Sequence, residues 1–169
     1  MKYKVLISLG SNKGNRKKNL AQALFQINQN LGELIAISPV YETASWGYKD
    51  DAYLNNAICL STSMEPIKLL DALLEIEVNF GRIRSLSKEY QARELDLDII
   101  LIEGVVVSHP KLQVPHPRMS ARKFVLQPLV DIAPNWEHEL LYTSLKELLL
   151  NCQDQSEIKL YGTLSLHSS

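Results

Sequence analysis

Three acids recur at alternate positions in Glu94-Leu95-Asp96-Leu97-Asp98-Ile99-Ile100-Leu101. Side chains on a strand alternate between faces, so Glu94, Asp96 and Asp98 point one way while Leu95, Leu97, Ile99 and Leu101 point into a core. Like charges two residues apart repel, and aspartate is depleted in strands, so the pattern is unfavourable unless a cation neutralises it. Magnesium fits that demand, because it is a hard ion that takes carboxylate oxygens together with substrate phosphates. The plainer reading of the same spacing is a solvated edge strand with its acids outward.

The surrounding cations favour the first reading. Arg82, Arg84, Lys88, Arg93, Lys111, Arg118, Arg122 and Lys123 make up eight of the 18 basic residues and flank the acidic strand on both sides. Guanidinium groups bind phosphate oxygens bidentately, so the mixture suits a nucleoside triphosphate. Surface ion pairs contribute only about 0–1 kcal/mol and give little reason to concentrate so many cations in loops. Gly10-Ser11-Asn12-Lys13-Gly14 matches neither a P-loop nor a dinucleotide fingerprint and reads as a tight turn. His116, between two prolines and near Arg118 and Arg122, can reach a phosphate, whereas His109 reads as a hydrogen-bonded structural residue.

The elements that must position these groups follow from periodicity. Tyr3 to Leu9 reads as a strand, and Leu20, Ala23, Leu24, Ile27 and Leu31 recur at helical spacing with Gly32 at the stop. Leu34 to Thr43 and Tyr53 to Thr62 read as the second and third strands, with a surface loop over 44–52. A second helix starts near Pro66 and ends at Gly81, its stripe formed by Ile67, Leu70, Leu73, Leu74 and then Glu77, a carboxylate at a core position. Leu95 to Ile102 is expected to form a hairpin with Val105 to Val107 through Glu103-Gly104, followed by helices over Met119 to Val130 and Thr143 to Asn151. Strand, helix, strand, strand, helix, strand is the order of an α+β, ferredoxin-like sandwich. In it an antiparallel sheet carries two helices on one face and leaves the other free for a ligand.

Length and composition bound the rest. The 169 residues with 46% hydrophobic content fit one domain, expected over 1–162, with 163–169 as a flexible tail. Lysine plus arginine (18) balances aspartate plus glutamate (19), which leaves no global field to recruit nucleic acid or a membrane surface. Cys59 and Cys152 lack metal or redox spacing and read as packing residues of a reducing compartment. The N-terminal run Met1 to Leu9 is strand-like and too short for a signal core or a membrane span, so a cytoplasmic monomer with small-molecule partners is expected.

Taken together, Arg93-Glu94-Leu95-Asp96-Leu97-Asp98-Ile99-Ile100, Val114-Pro115-His116-Pro117-Arg118-Met119 and Arg122-Lys123-Phe124-Val125-Leu126 resemble the 6-hydroxymethyl-7,8-dihydropterin pyrophosphokinase family of folate biosynthesis. Ser8-Leu9-Gly10-Ser11-Asn12, Tyr41-Glu42-Thr43, Tyr53-Leu54-Asn55, Glu77, Gly81-Arg82-Ile83-Arg84 and Leu129-Val130-Asp131-Ile132-Ala133-Pro134 extend the likeness in order along nearly the whole chain. The resemblance implies transfer of pyrophosphate from ATP to a pterin hydroxymethyl group with release of AMP. It implies two magnesium ions on Asp96 and Asp98, and phosphate ligands at Arg82, Arg93, Lys111, His116 and Arg122. It places Glu77, Ile99 and Gln113 towards the nucleoside, and Arg84 and Tyr90 on a loop that closes over ATP. Tyr53 and Phe124 would sandwich the pterin, with Asn55 and the Thr43-Ala44-Ser45-Trp46 backbone reading its polar edge. The chain departs from many members at Ala44-Ser45-Trp46, Leu74, Tyr90 and Glu94.

Two other functions share this fold: a binding module that holds a small molecule on an open sheet face, and a different magnesium-dependent nucleotidyl or phosphoryl transferase. The acids on the strand argue against the first. The product formed from ATP separates the second.

Overall fold

The computed structural model describes residues 1–44, 52–80 and 94–166. Glycine 81, Arg82, Arg84, Tyr90, Arg93, Ser45 and Trp46 lie outside them. In chain order the elements are β1 (Tyr3–Ser11), α1 (Arg16–Asn30), β2 (Glu33–Ile37), β3 (Val40–Thr43), β4 (Tyr53–Thr62), α2 (Pro66–Asn79), β5 (Asp96–Ile102), β6 (Val107–His109) and β7 (Leu112–Val114). A 3-10 turn over Met119–Ala121, α3 (Lys123–Ile132), α4 (Leu145–Leu150) and β8 (Ile158–Gly162) complete it. The main sheet is antiparallel in the order β5-β1-β4-β3-β8, with β2 also paired to β4. This is the expected α+β architecture.

Local chemistry explains the helices. Asn15 caps α1 by accepting from the Lys18 N–H at 3.1 Å, and Leu20, Ala23, Leu24 and Ile27 form its buried stripe. The chain then passes so close to β4 that a Cβ on Gly32 would lie 2.2 Å from the Ser61 carbonyl oxygen, which only glycine permits. In α2, Pro66 occupies the first turn and the buried stripe is Leu69, Leu73, Ile76 and Glu77. The helix is rotated from the expected stripe, and Leu74 is 37% exposed.

Several expected elements are redrawn. Leu34 to Thr43 is not one strand: Pro39 cannot donate to a ladder, and the break at Ser38 is bridged by the Ser38 N–H to the Ala57 carbonyl (2.8 Å) and the Ala57 N–H to the Ser38 hydroxyl (2.7 Å). The Leu95 to Val107 hairpin shrinks to one bridge between Ile102 and Val105 around Gly104 (φ 68°), and β6 instead pairs with β7 as a separate ribbon. The Met119 to Val130 helix is interrupted by extended backbone at Arg122 before α3 begins at Lys123. The strand ending at Leu9 continues through Gly10 and Ser11, where a tight turn was expected.

The second face of the sheet is not wholly free. One apolar cluster joins α1 and α2 to Val5, Ile7, Leu9, Leu54, Ile58, Leu60, Leu97, Ile99 and Ile102. A second joins α3 and α4 to Leu6, Ala57, Cys59, Ile100 and Leu101 on the opposite face. A bulge in the β1–β5 pairing, where Ile7 faces Ile99 and Leu6 faces Leu101, leaves Ile100 as the extra residue. That insertion reverses the alternation and turns Leu101 into the second cluster instead of the first. Cys59 and Cys152 both pack with that cluster as free thiols. Beyond β8, Leu164 and Leu166 pack against the first.

Candidate active site

The register of three neighbouring strands builds the site. On the second face, Leu6 of β1 lies between Cys59 of β4 and Leu101 of β5, an apolar rank covered by α3 and α4. One rank along, Ser8 lies between Ala57 and Asp98. At the next, Gly10 lies between Asn55 and Asp96. The face therefore grades from apolar to polar along all three strands at once, and where the helices stop a cleft of 1510 Å³ opens over Ser8, Gly10, Asn55, Asp96 and Asp98. Two strand spacings separate Asn55 from Asp96, roughly 10 Å. Asp96 and Asp98 are two residues apart on one strand, roughly 7 Å.

Gly10 is the low point of this floor. A Cβ there would lie 3.0 Å from Asn55 Oδ1 and 3.7 Å from the Tyr53 ring. Asn55 is 5% exposed, and its Nδ2 donates to the Thr43 hydroxyl at 3.2 Å, so both side chains are fixed side by side at the β3 end of the cleft. Phe124 comes from the first turn of α3, with the Arg122 guanidinium 5.8 Å from its ring centroid. Tyr41 ties β3 to α3 by donating to the Asp131 carboxylate, and its hydroxyl pKa is pushed up to about 12 by burial and by that acid.

His116 lines the same cleft. Its backbone N–H donates to the Ile100 carbonyl at 2.9 Å, and its Nδ1 accepts from the Arg118 N–H at 3.2 Å. Burial lowers its pKa; Asp98 opposes the shift, while Arg122 and Arg118 reinforce it. A neutral ring whose Nδ1 accepts carries its proton on Nε2.

The structure thus gathers Asp96, Asp98, His116, Arg122, Phe124, Tyr53, Asn55, Thr43 and Ala44 around one cleft. Other expected site residues stand apart. Glu77 is 2% exposed, and its Oε2 accepts from the Leu97 N–H at 2.8 Å, joining α2 to β5. Ile99 belongs to the first core cluster. Lys111 and Gln113 are exposed on the β6–β7 ribbon, where the Lys111 N–H donates to His109 Nδ1 at 3.0 Å and gives His109 the structural bond expected of it. Glu94 precedes β5 in a bend whose carbonyl accepts from Asn19, so the acidic triad is a pair on the strand. Among the described residues no group of three acidic, histidine or cysteine side chains converges for a metal.

Some lining residues were not foreseen. Glu42 and the Ala52 carbonyl line the cleft and are held by Arg16, which donates to them at 3.0 Å and 2.6 Å. Asn151, Gln153, Asp154, Gln155, Ser156 and Glu157 wall the cleft on the β8 side. The Asp154 carboxyl lies below the usual carboxylate range, chiefly through hydrogen bonding from Ser156 and then from the Lys123 N–H. The shrinking series Leu6, Ser8, Gly10 on one face of β1 was the available signal for the floor; the polar segment 151–157 offered none.

Known proteins resemble this chain in sequence and in fold. Residues 6–134 match the family described as 7,8-dihydro-6-hydroxymethylpterin-pyrophosphokinase (HPPK). A Pseudomonas aeruginosa 2-amino-4-hydroxy-6-hydroxymethyldihydropteridine pyrophosphokinase is 40% identical over 80% of this chain and 83% of its own, and the Bacillus subtilis protein of that name is 40% identical over 79% and 80%. Schizosaccharomyces pombe folic acid synthesis protein fol1 is 36% identical over 93% of the chain, which spans only 21% of that protein. A Plasmodium falciparum HPPK-DHPS crystal structure with pteroate shares the fold with a TM-score of 0.73 at 15% identity, over 89% of this chain and 42% of that one. By sequence match along most of its length and by fold, the chain belongs to the 7,8-dihydro-6-hydroxymethylpterin-pyrophosphokinase family.

Proposed function

We propose that the cleft transfers pyrophosphate from ATP to 6-hydroxymethyl-7,8-dihydropterin, with the pterin over the Asn55 end of the floor and the triphosphate over the Asp96 end. Family membership gives the chain its ATP-dependent pyrophosphokinase activity in folate biosynthesis. The observation that supports the division of the cleft is the rank Asn55–Gly10–Asp96, which separates a buried amide from a carboxylate pair by two strand spacings.

Asp96 and Asp98 suit magnesium, which needs only one or two carboxylates and completes its shell with phosphate oxygens and water. Held by these two carboxylates, magnesium would supply charge compensation for the triphosphate. Arg122 and the His116 Nε2–H bind the triphosphate from the α3 side, and on the resemblance Arg82 and Arg93 do so from 81–93, with Arg84 and Tyr90 closing over ATP. Phe124 and Tyr53 stack on the pterin, and Asn55, held by Thr43, pairs with its donor and acceptor edge. The substrate hydroxyl oxygen attacks the β-phosphorus in line as the bond from that phosphorus to the AMP oxygen breaks, and the hydroxyl proton passes to solvent. No strong general base is required, because the contribution of the site is orientation and charge compensation.

Product analysis tests this. AMP should accumulate from ATP only when both the hydroxymethyldihydropterin and magnesium are present. Release of ADP or free pyrophosphate under the same conditions would assign the cleft to a different phosphoryl or nucleotidyl transfer.

A further inference from the structure

Helix α3 begins without a side-chain cap of its own. Arg122 at its N-cap makes no such bond; its carbonyl accepts from the Val125 N–H at 3.1 Å, which leaves the Lys123 N–H in need of an acceptor from elsewhere. One is supplied 31 residues downstream: Asp154 Oδ2 accepts from the Lys123 N–H at 3.0 Å, while its Oδ1 accepts from the Ser156 N–H at 2.8 Å. The next residue along the helix is Phe124. A few residues beyond Asp154, β8 pairs with β3 so that Ile158 faces Thr43, the partner of Asn55. One short segment, beyond residue 134 where the family match ends, therefore holds the first turn of the helix that carries Phe124 and the strand that carries Thr43.

We infer that Asp154 is a positioning residue for pterin binding: by capping α3 across the cleft it fixes where Phe124 stands over the sheet. The inference rests on the assignment of the pterin to Phe124, Tyr53 and Asn55. The physical basis is fraying. The first turn of a helix is its least constrained part, and Phe124 is only one residue from the bond that Asp154 accepts. The Arg122 guanidinium lies over the same ring, 5.8 Å from its centroid. A purely structural Asp154 would lower the melting temperature and leave ligand affinity unchanged.

A double-mutant cycle on the full chain distinguishes the two. Pterin affinity is measured by isothermal titration in the presence of magnesium and a non-hydrolysable ATP analogue, well below the melting temperature, for Asp154→Ala, Phe124→Ala and the double variant. Asp154→Ala is expected to weaken pterin binding about fivefold, the size of a lost helix cap. Asp154→Asn, which keeps one carbonyl acceptor, should lose less. In the Phe124→Ala background the Asp154→Ala effect should vanish, because the residue it positions is gone. An equal loss in both backgrounds, or none in either while Phe124→Ala still weakens binding, overturns the role of Asp154 alone. If Phe124→Ala leaves pterin affinity unchanged, the pterin assignment fails and the inference with it. Should Asp154→Ala not fold, Asp154→Asn takes its place in the cycle under the same criteria.

Discussion

Gly10→Ala perturbs the floor of the cleft with one methyl group. The new Cβ would lie 3.0 Å from Asn55 Oδ1, tighter than ordinary van der Waals contact from about 3.4 Å, so the amide must retreat by a few tenths of an ångström. It has little room, being 5% exposed and bonded to Thr43 at 3.2 Å, already at the long end of the hydrogen-bond range. The retreat breaks or misaligns that bond and displaces the group assigned to the pterin edge. Weakening one or two hydrogen bonds by about 1 kcal/mol each lowers kcat/KM for the pterin by roughly five- to thirtyfold. Stability should change by less than about 1 kcal/mol, because the reduced freedom of the unfolded chain offsets the local crowding. The assay is AMP formation with the pterin varied at saturating ATP, then with ATP varied at saturating pterin. A pterin kcat/KM within twofold of the parent would refute the placement of Asn55, and equal losses for both substrates would refute the division of the floor into two ends.

Asp98→Ala should reduce kcat by at least about a hundredfold in the same assay while the chain still folds cooperatively in chemical denaturation, since the side chain is exposed and outside both apolar clusters. Glu77→Ala should destabilise the fold by about 2–3 kcal/mol in chemical denaturation, because it leaves the buried Leu97 N–H without the acceptor it has at 2.8 Å, and Glu77→Gln should recover part of that through its carbonyl oxygen. His138 accepts at Nδ1 from the N–H groups of Leu140 and Leu141 and is 4% exposed; burial lowers its pKa below the ordinary 6.5. Its contribution to stability is therefore complete above about pH 6.5 and declines as the pH falls below that value, where the unfolded chain binds the proton first. Unfolding free energies at pH 8 and pH 5.5 should differ more for the parent than for His138→Gln.

Much of this was legible because periodicity is a local property. The 3.6-residue spacing of Leu20, Ala23, Leu24 and Ile27 and the alternation of Leu97 and Asp98 each report which way a side chain faces, and both hold in the structure. The failures were non-local. Nothing near Ile100 announces that β1 will skip it, yet that bulge sends Leu101 to the opposite core. In β8, Leu160 is 69% exposed, so that strand carries no burial pattern and exists by pairing with β3. Glu77 was read correctly as a carboxylate on a core stripe. Its partner, the Leu97 backbone, has no side-chain signature to find.

That last contact bears on how the carboxylate pair is held. Leu97 lies between Asp96 and Asp98; its side chain is in the core, its residue pairs with Leu9 of β1, and its N–H is taken by Glu77 from the other side. An edge strand with that N–H open to water could slide or twist, and the two carboxylates would separate with it. Gripped from both sides, the backbone fixes the spacing of Asp96 and Asp98 at the cleft they line. The buried acid on α2 and the acids on β5 thus have different tasks within one device: one carboxyl is buried to hold a strand edge so that two others keep their positions in the cleft.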